Sequence, residues 1–210
     1  MPNISILDTK SANFHSVKKA VDLFERDNVI TSSRDQVLKS KALIIPGVSS
    51  TDTVLKNIYK SKLDETILEF YGLGRPILCI CVGMQILFDS SEEGSLPGLG
   101  IIEGKVIKIP EFDKKKNKYK IPHMGWNQVE NSKNSNLFSN IENKSDFYFV
   151  HSFQCIPNDP NIISGKTNYS NEIVASIEKN NLYAVQFHPE KSSNRGLKIY
   201  ENFINLTRKN

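Results

Sequence analysis

Short apolar runs punctuate the first 81 residues: "NISILD" (3–8), "NVITS" (28–32), "KALIIPG" (41–47) and "RPILCIC" (75–81). A strand that is polar at every second residue leaves one face to water. Near-continuous apolar strands need cover on both faces, which is the signature of a buried parallel sheet. The intervening segments can supply that cover. "NFHSVKKAVDLFERD" (13–27) carries Phe14, Val17, Ala20, Val21 and Phe24 at helical spacing, and "KSKLDETILEFYGLG" (60–74) is an amphipathic helix closed by Gly72 and Gly74. "MQILFDSS" (84–91) reads as the start of a further helix. Strands alternating with helices predict an α/β fold with helices on both faces of a mostly parallel central sheet.

After residue 95 the pattern changes. "LGIIEGKVIKIP", "KIPHMGWNQV", "DFYFVHSFQCIP" and "EIVASIEKNNLYAVQFHP" read as strands joined by turns, with a hairpin turn at Asn180–Asn181. Antiparallel strands are therefore expected in the C-terminal half. "SNRGLKIYENFINLTRKN" closes the chain as a helix with Leu197, Tyr200, Phe203 and Ile204 as its apolar stripe. With 210 residues, no internal repeat and no low-complexity linker, residues 1–210 are expected to form one domain.

Composition narrows the classes of function. No apolar run approaches the roughly 18 residues of a membrane span, and the N-terminal MPNISILDTK lacks the layout of a signal peptide, so a cytoplasmic location is expected. The net charge of +4 is mild and partly local, because "DKKKNKYK" (113–120) holds five lysines and one aspartate. That segment reads as a solvated hairpin or loop, or as a docking surface for an acidic partner. Nucleic-acid binding would want arginines, interleaved aromatics and a more basic total. Three cysteines do not make a disulfide framework at this size. Cys79 and Cys81 are spaced C-x-C, but the next histidine is His123, so neither a metal nor any other cofactor is expected.

The chemistry concentrates in "LCICVGMQIL" (78–87). A strand over Ile77–Ile80, a small nucleophile at the corner and a helix starting near Gly83 match a nucleophile elbow. Cys81 stands at the corner and Gly83 at +2. At −2, where the elbow usually has glycine, stands Cys79, which is small enough to pack there. A helix N-terminus beneath the thiol favours its thiolate form. Taken alone, the stretch also fits a pair of buried small hydrophobes. A nucleophilic thiol wants a base, and the base an orienting carboxylate. Of His15, His123, His151 and His188, His188 lies just past the C-terminal end of a strand, the edge where α/β sites collect. Glu190 follows two residues later across a proline. Oxyanion donors are expected from Val82 N–H and from "IIPGVSS" (44–50), where Gly47 permits an unusual peptide orientation, although that segment also fits an ordinary Pro-Gly turn.

"PGVSS", "ILCICVGMQIL" and "AVQFHPEKS" together, in this order, resemble the class I, triad-type glutamine amidotransferases, which have a flavodoxin-like fold. "NFHSV", "LPGLGIIEGKV", "KIPHMGWN" and "FVHSF" are similar to the glutaminase subunits of imidazole glycerol phosphate synthase, in histidine biosynthesis. The resemblance implies that Cys81 attacks the glutamine side-chain amide, with His188 as base, Glu190 as its orienter and Gly47, Val48 and Val82 as the oxyanion hole. It further implies that Gln85, Ser152 and Phe153 hold glutamine. Ammonia would pass to a (β/α)8-barrel cyclase subunit in a heterodimer, with Asn13, His123, Met124, Trp126 and Lys191 at the interface. The cyclase products would be imidazole glycerol phosphate and aminoimidazole carboxamide ribonucleotide.

Three positions depart from the family pattern: Ser49 and Cys79 where glycine is usual, and His15 where arginine is usual. They keep open a paralogous glutaminase subunit that feeds another acceptor, such as an enzyme making acetamidino sugars. The intact Cys–His–Glu set speaks against a catalytically silent binding protein, and the Pro-Gly-Val and His-Pro-Glu segments against a peptidase or deglycase.

Overall fold

The structure is a computed structural model and is described for residues 2–132 and 134–208. Five parallel strands form one half of a nine-stranded sheet: β2 (Asn28–Thr31), β1 (Ile4–Leu7), β3 (Ala42–Gly47), β4 (Ile77–Cys81) and β12 (Leu182–Val185), in that order. Every residue of β1, β3, β4 and β12 is buried, as their apolar runs require. Beyond β12 the sheet turns antiparallel through β11 (Glu172–Lys179), β10 (Ile163–Asn168), β7 (His123–Asn131) and β8 (Ser145–His151). A second sheet holds β5 (Phe88–Ser91), β6 (Ile102–Lys108) and β9 (Phe153–Pro157).

Helices α1 (Phe14–Asp22) and α6 (Ser193–Thr207) pack together, while α2 (Arg34–Lys39), α3 (Thr51–Lys60) and α4 (Leu63–Gly72) form a second group. On α6 the core face is Ile199, Tyr200, Phe203 and Ile204, with the expected Leu197 only partly buried. Lysines 114–116, 118 and 120 lie on an exposed loop with a single bridge between Phe112 and Lys118. Among the described residues, no helix is long and apolar enough to cross a membrane.

The expected helix over 84–91 is corrected. Helix α5 is one turn, Val82–Gln85, and the chain then becomes strand β5. Continuing the helix would require the carbonyls of Ile86 and Leu87 to accept from residues four further on. They accept instead from the amides of Leu99 (2.8 Å), and of Ile101 and Ile102 (2.9 and 3.0 Å). Gly98 lets the two segments close up, since a Cβ there would lie 1.8 Å from the Phe88 carbonyl oxygen. "DFYFVHSFQCIP" is likewise two strands, β8 and β9, which part at Ser152 into different sheets.

Gly98→Ala is expected to lower stability by about 1–3 kcal/mol, the usual range for overpacking against groups that must shift. The midpoint of urea unfolding measures this, and an unchanged midpoint would show that the close approach does not hold β5 in place.

Candidate active site

Strand β4 ends at Cys81, whose backbone leaves the extended region at φ 55° and ψ −111°. A non-glycine residue there is strained, and such strain gathers at functional sites. Packing holds it in place. The backbone of Gly83 lies so close to β3 that a Cβ would meet the Ile45 carbonyl oxygen at 2.0 Å, and a Cβ on Gly47 would meet the Val82 Cβ at 3.0 Å. The elbow therefore needs glycine at 83. Cys79 sits two residues earlier, inside β4, paired with Ile45 on one side and Ala184 on the other. It is fully buried, and burial pushes its thiol pKa well up, so it is inert packing. With α5 only four residues long, its dipole contributes little at Cys81. What remains is local: the Val82 N–H belongs to the first turn and has no intrahelical acceptor.

His188 follows β12, the parallel neighbour of β4. Its backbone N–H donates to the Tyr148 carbonyl (2.9 Å), and its own carbonyl accepts from Ser192 Oγ (2.7 Å). The next residues form a single 3-10 turn, Pro189–Lys191, which brings Glu190 back under the imidazole. His188 Nδ1 donates to Glu190 Oε1 at 2.7 Å, and both side chains are 1% exposed. This bond fixes the ring orientation and directs Nε2 to the other side. His188 Nε2 is buried without a hydrogen-bond partner among the described side chains. Burial alone would lower the histidine's pKa, but negative charge on Cys81 and on Glu190 outweighs it and raises the value to about 10. Tyr200 reaches the far carboxylate oxygen, Oε2, at 3.5 Å, and burial and Glu190 together push its phenol well up.

A cleft of about 400 Å³ brings these groups together. Cys81, Val82, Gln85 and His188 line it, with Ser152 and Phe153 from the β8–β9 junction, Val48 from the β3 exit and Lys191 from the rim. Gly47 is paired with Cys81 in register. The Val48 N–H, one of the expected oxyanion donors, donates to the Ser11 carbonyl at 2.9 Å. The loop carrying that carbonyl is itself held by Asn57 of α3, whose Nδ2 donates to Thr9 O (3.0 Å) and Ser11 Oγ (3.2 Å). Ser49, also on the cleft, has a buried Oγ with no partner among the described residues.

Of the expected interface residues, Asn13 is exposed and caps α1 through its side chain. Met124 and Trp126 are 60% and 55% exposed on one face of β7. Lys191 is exposed, with its Nζ over the Tyr148 ring at 5.8 Å, and Trp126 meets the same ring. His123 departs from this group. The two-residue period of β7 turns it to the opposite face, where it is 3% exposed and stacked against Phe149 and Tyr169. It pairs in register with His151, and His123 Nδ1 lies 2.9 Å from His151 Nε2. His151 Nδ1 must donate to the Phe153 carbonyl (2.7 Å), which makes its Nε2 the acceptor and His123 the donor. Burial lowers His123 to about pKa 4 and His151 to about 3, so both are neutral.

The sequence reading missed Tyr200, Gln186 and Glu93. Tyr200 stands in the apolar stripe of the C-terminal helix, where spacing gives no sign of a role for its hydroxyl. Gln186, in "AVQFHPE", carries the signal of a polar residue at the end of an apolar strand. Glu93, whose carboxylate lines the cleft and accepts from Thr51 N (2.7 Å), lies in a loop with no local pattern. Among the described residues, no group of three or more His, Cys, Asp or Glu could hold a metal ion.

A strained thiol beside a buried imidazole that is held by a carboxylate defines the class of cysteine-dependent acyl-transfer enzymes. The glutamine amidotransferase class-I family matches residues 6–206, and the chain belongs to that family. It is 44% identical over 204 residues to the imidazole glycerol phosphate synthase subunit HisH of Methanocaldococcus jannaschii, covering 97% of this chain and 99% of that protein. The corresponding subunit of Pelagibacter ubique is 43% identical over 210 residues, covering 97% and 100%. The structure of PurLQS from Thermotoga maritima shares the fold at a TM-score of 0.73 and 17% identity, covering 98% of each chain.

Protonation sets a testable pH dependence. His123 and His151 have folded pKa values below the unfolded 6.5, so the unfolded chain binds more protons between pH 6 and 5. Their stabilisation is complete above 6.5 and is lost as pH falls. His188 is protonated in both states below pH 6 and does not offset this. Stability should fall between pH 6 and 5 with a slope approaching two protons, roughly 2.7 kcal/mol per pH unit. Urea titrations at several pH values measure it, and a flat profile would contradict the neutral pair.

Proposed function

We propose that this chain is the glutaminase subunit of a heterodimeric imidazole glycerol phosphate synthase, with Cys81, His188 and Glu190 as its triad. The observation that carries the reading is the buried 2.7 Å bond from His188 to Glu190, set beside the strained elbow at Cys81. The Cys81 thiolate attacks the side-chain carbonyl carbon of glutamine. Val82 N–H faces the oxygen that gains charge. The C–N bond breaks as His188 Nε2 gives its proton to the leaving nitrogen, releasing ammonia and a γ-glutamyl thioester. Water then loses a proton to His188 and attacks the thioester, which frees glutamate and expels the Cys81 thiolate beside a reprotonated His188. Gln85, Ser152 and Phe153 line the space for the glutamine, and the Glu93 carboxylate suits its α-ammonium group.

Ammonia leaves toward a (β/α)8-barrel cyclase partner, which uses it to make imidazole glycerol phosphate and aminoimidazole carboxamide ribonucleotide in histidine biosynthesis. Near-full-length identity to HisH subunits supports this acceptor over an acetamidino-sugar pathway. Lys191 on the cleft and the exposed Met124 and Trp126 of β7 suit the partner interface, and Asn13 is a further contact. The site of action is the cytoplasm, and residues 1–210 act as one glutaminase domain.

Cys81→Ala should abolish glutamine-dependent turnover by the complex and leave ammonia-dependent turnover intact, because the cyclase needs only ammonia. Product formation with each nitrogen source tests this, and retained glutamine-dependent activity would overturn the triad. Val48 N–H can serve the oxyanion only after leaving Ser11 O. One lost donor typically costs 10²–10³ in kcat. The isolated chain should therefore hydrolyse glutamine at least about a hundredfold more slowly than the complex. Equal rates with and without the partner would refute a donor held in reserve.

A further inference from the structure

A fully buried amide beside the nucleophile has no role in the triad. Gln186 is 0% exposed and stands one step beyond the Ile80–Val185 pair of β4 and β12, level with Cys81. Its backbone is pinned, with N–H donating to the Ala175 carbonyl at 2.9 Å. Burying an amide is costly unless its polar atoms are bonded, so a buried glutamine is informative. The side chain's hydrogen-bond partners among the described residues are Gln85 and Cys81. Gln85 Nε2 lies 3.0 Å from Gln186 Oε1, and Gln186 Nε2 lies 3.6 Å from Cys81 Sγ.

The orientation of both amides follows from one fixed acceptor. Gln85 Nε2 also donates to the Phe153 carbonyl at 3.2 Å, and a backbone carbonyl can only accept. The Gln85 nitrogen is thereby assigned to that end. The Gln186 atom it faces must be the oxygen, which leaves the Gln186 nitrogen against the sulphur. We infer that Gln186, locked by Gln85, is a positioning residue that donates an N–H to Cys81 Sγ and holds the thiolate in place. A donor bonded to the charged form favours that form, and a bond to an ionised acceptor is stronger than one to a neutral group. The inference rests on the triad reading for the use of the thiolate, but the bond itself can be read without turnover.

The test follows alkylation of Cys81 by iodoacetamide in the full chain across pH, with the labelled peptide mapped by mass spectrometry. Gln186→Met keeps the length and removes the donor. It should move the pH midpoint of Cys81 alkylation up by about one unit, a tenfold loss of thiolate below the midpoint. In the complex, kcat with glutamine should fall about tenfold with KM little changed. Gln85→Met leaves the donor but unlocks it, and should shift the midpoint in the same direction by less. In the double variant the Gln85 effect should vanish, because Gln85 acts through Gln186. A wild-type midpoint in Gln186→Met overturns the proposal. So does full additivity of the two substitutions. If Gln186→Met does not fold, a wild-type midpoint in Gln85→Met overturns it alone. Loss of glutamine turnover in Cys81→Ala reports on the triad separately.

Discussion

The site depends on the contact between the Gly83 backbone and the Ile45 carbonyl of β3. It lets the chain turn from strand to helix within one residue and keeps Cys81 at a positive φ. The strain of such a residue, on the order of 1–3 kcal/mol, persists only where the surroundings over-determine it. Here the neighbours are two parallel strands whose residues are wholly buried, and their pairing with β4 is continuous. The order β3-β4-β12 then decides what the sulphur meets. Gly47 lies level with it on one side, Gln186 on the other, and the turn after β12 delivers His188.

The imidazole is as firmly placed as the thiol. Phe187, the residue before it, is fully buried and stacked on Phe147 at 4.2 Å. Removing the partner of a buried charge leaves the full desolvation penalty, which is several times the net worth of a hydrogen bond. The acid pair thus relies on its own support, the hydroxyl of Tyr200 on the second carboxylate oxygen. His123 and His151 solve the same problem differently. They stay neutral, and a run of donors and acceptors in one direction satisfies each ring nitrogen.

Much of this was legible in the sequence because it is local. The strands of the parallel half show as apolar runs, the elbow as Cys-Val-Gly, and the base with its carboxylate as His-Pro-Glu. What escaped is set by partners far along the chain. Helix α2 has six residues, too few to show a period, and the ten residues of α3 are mostly polar, with Val54, Leu55 and Ile58 as its buried apolar residues. Strand β10 contains Gly165 and Lys166 and pairs irregularly. Strand β5 looked helical because its apolar residues continue those of α5, and only the carbonyls claimed by residues 99–102 end the helix. The roles of Gln186 and Tyr200 lie across strand and helix packing, where no spacing in the sequence records them.

The two cysteines of "LCICVGMQIL" can now be ranked by surroundings rather than by spacing. Cys79 is fully buried and paired in register with Ile45 and Ala184, so its thiol is a small apolar filler within the sheet. Cys81 stands between two hydrogen-bond systems of different character. One is the His188–Glu190 pair, which in the proposed triad carries charge and moves protons. The other is Gln186, Gln85 and the Phe153 carbonyl, which are neutral and move none. That carbonyl also accepts from His151, which accepts from His123, on the strand whose opposite face exposes Met124 and Trp126. In the proposed triad, proton transfer stays with the imidazole, because reversing any donor of the neutral system would leave a buried nitrogen facing another donor or a carbonyl facing a lone pair. The neutral system can therefore hold the sulphur still through both steps of the proposed acyl transfer, while charge in the His188–Glu190 pair changes hands.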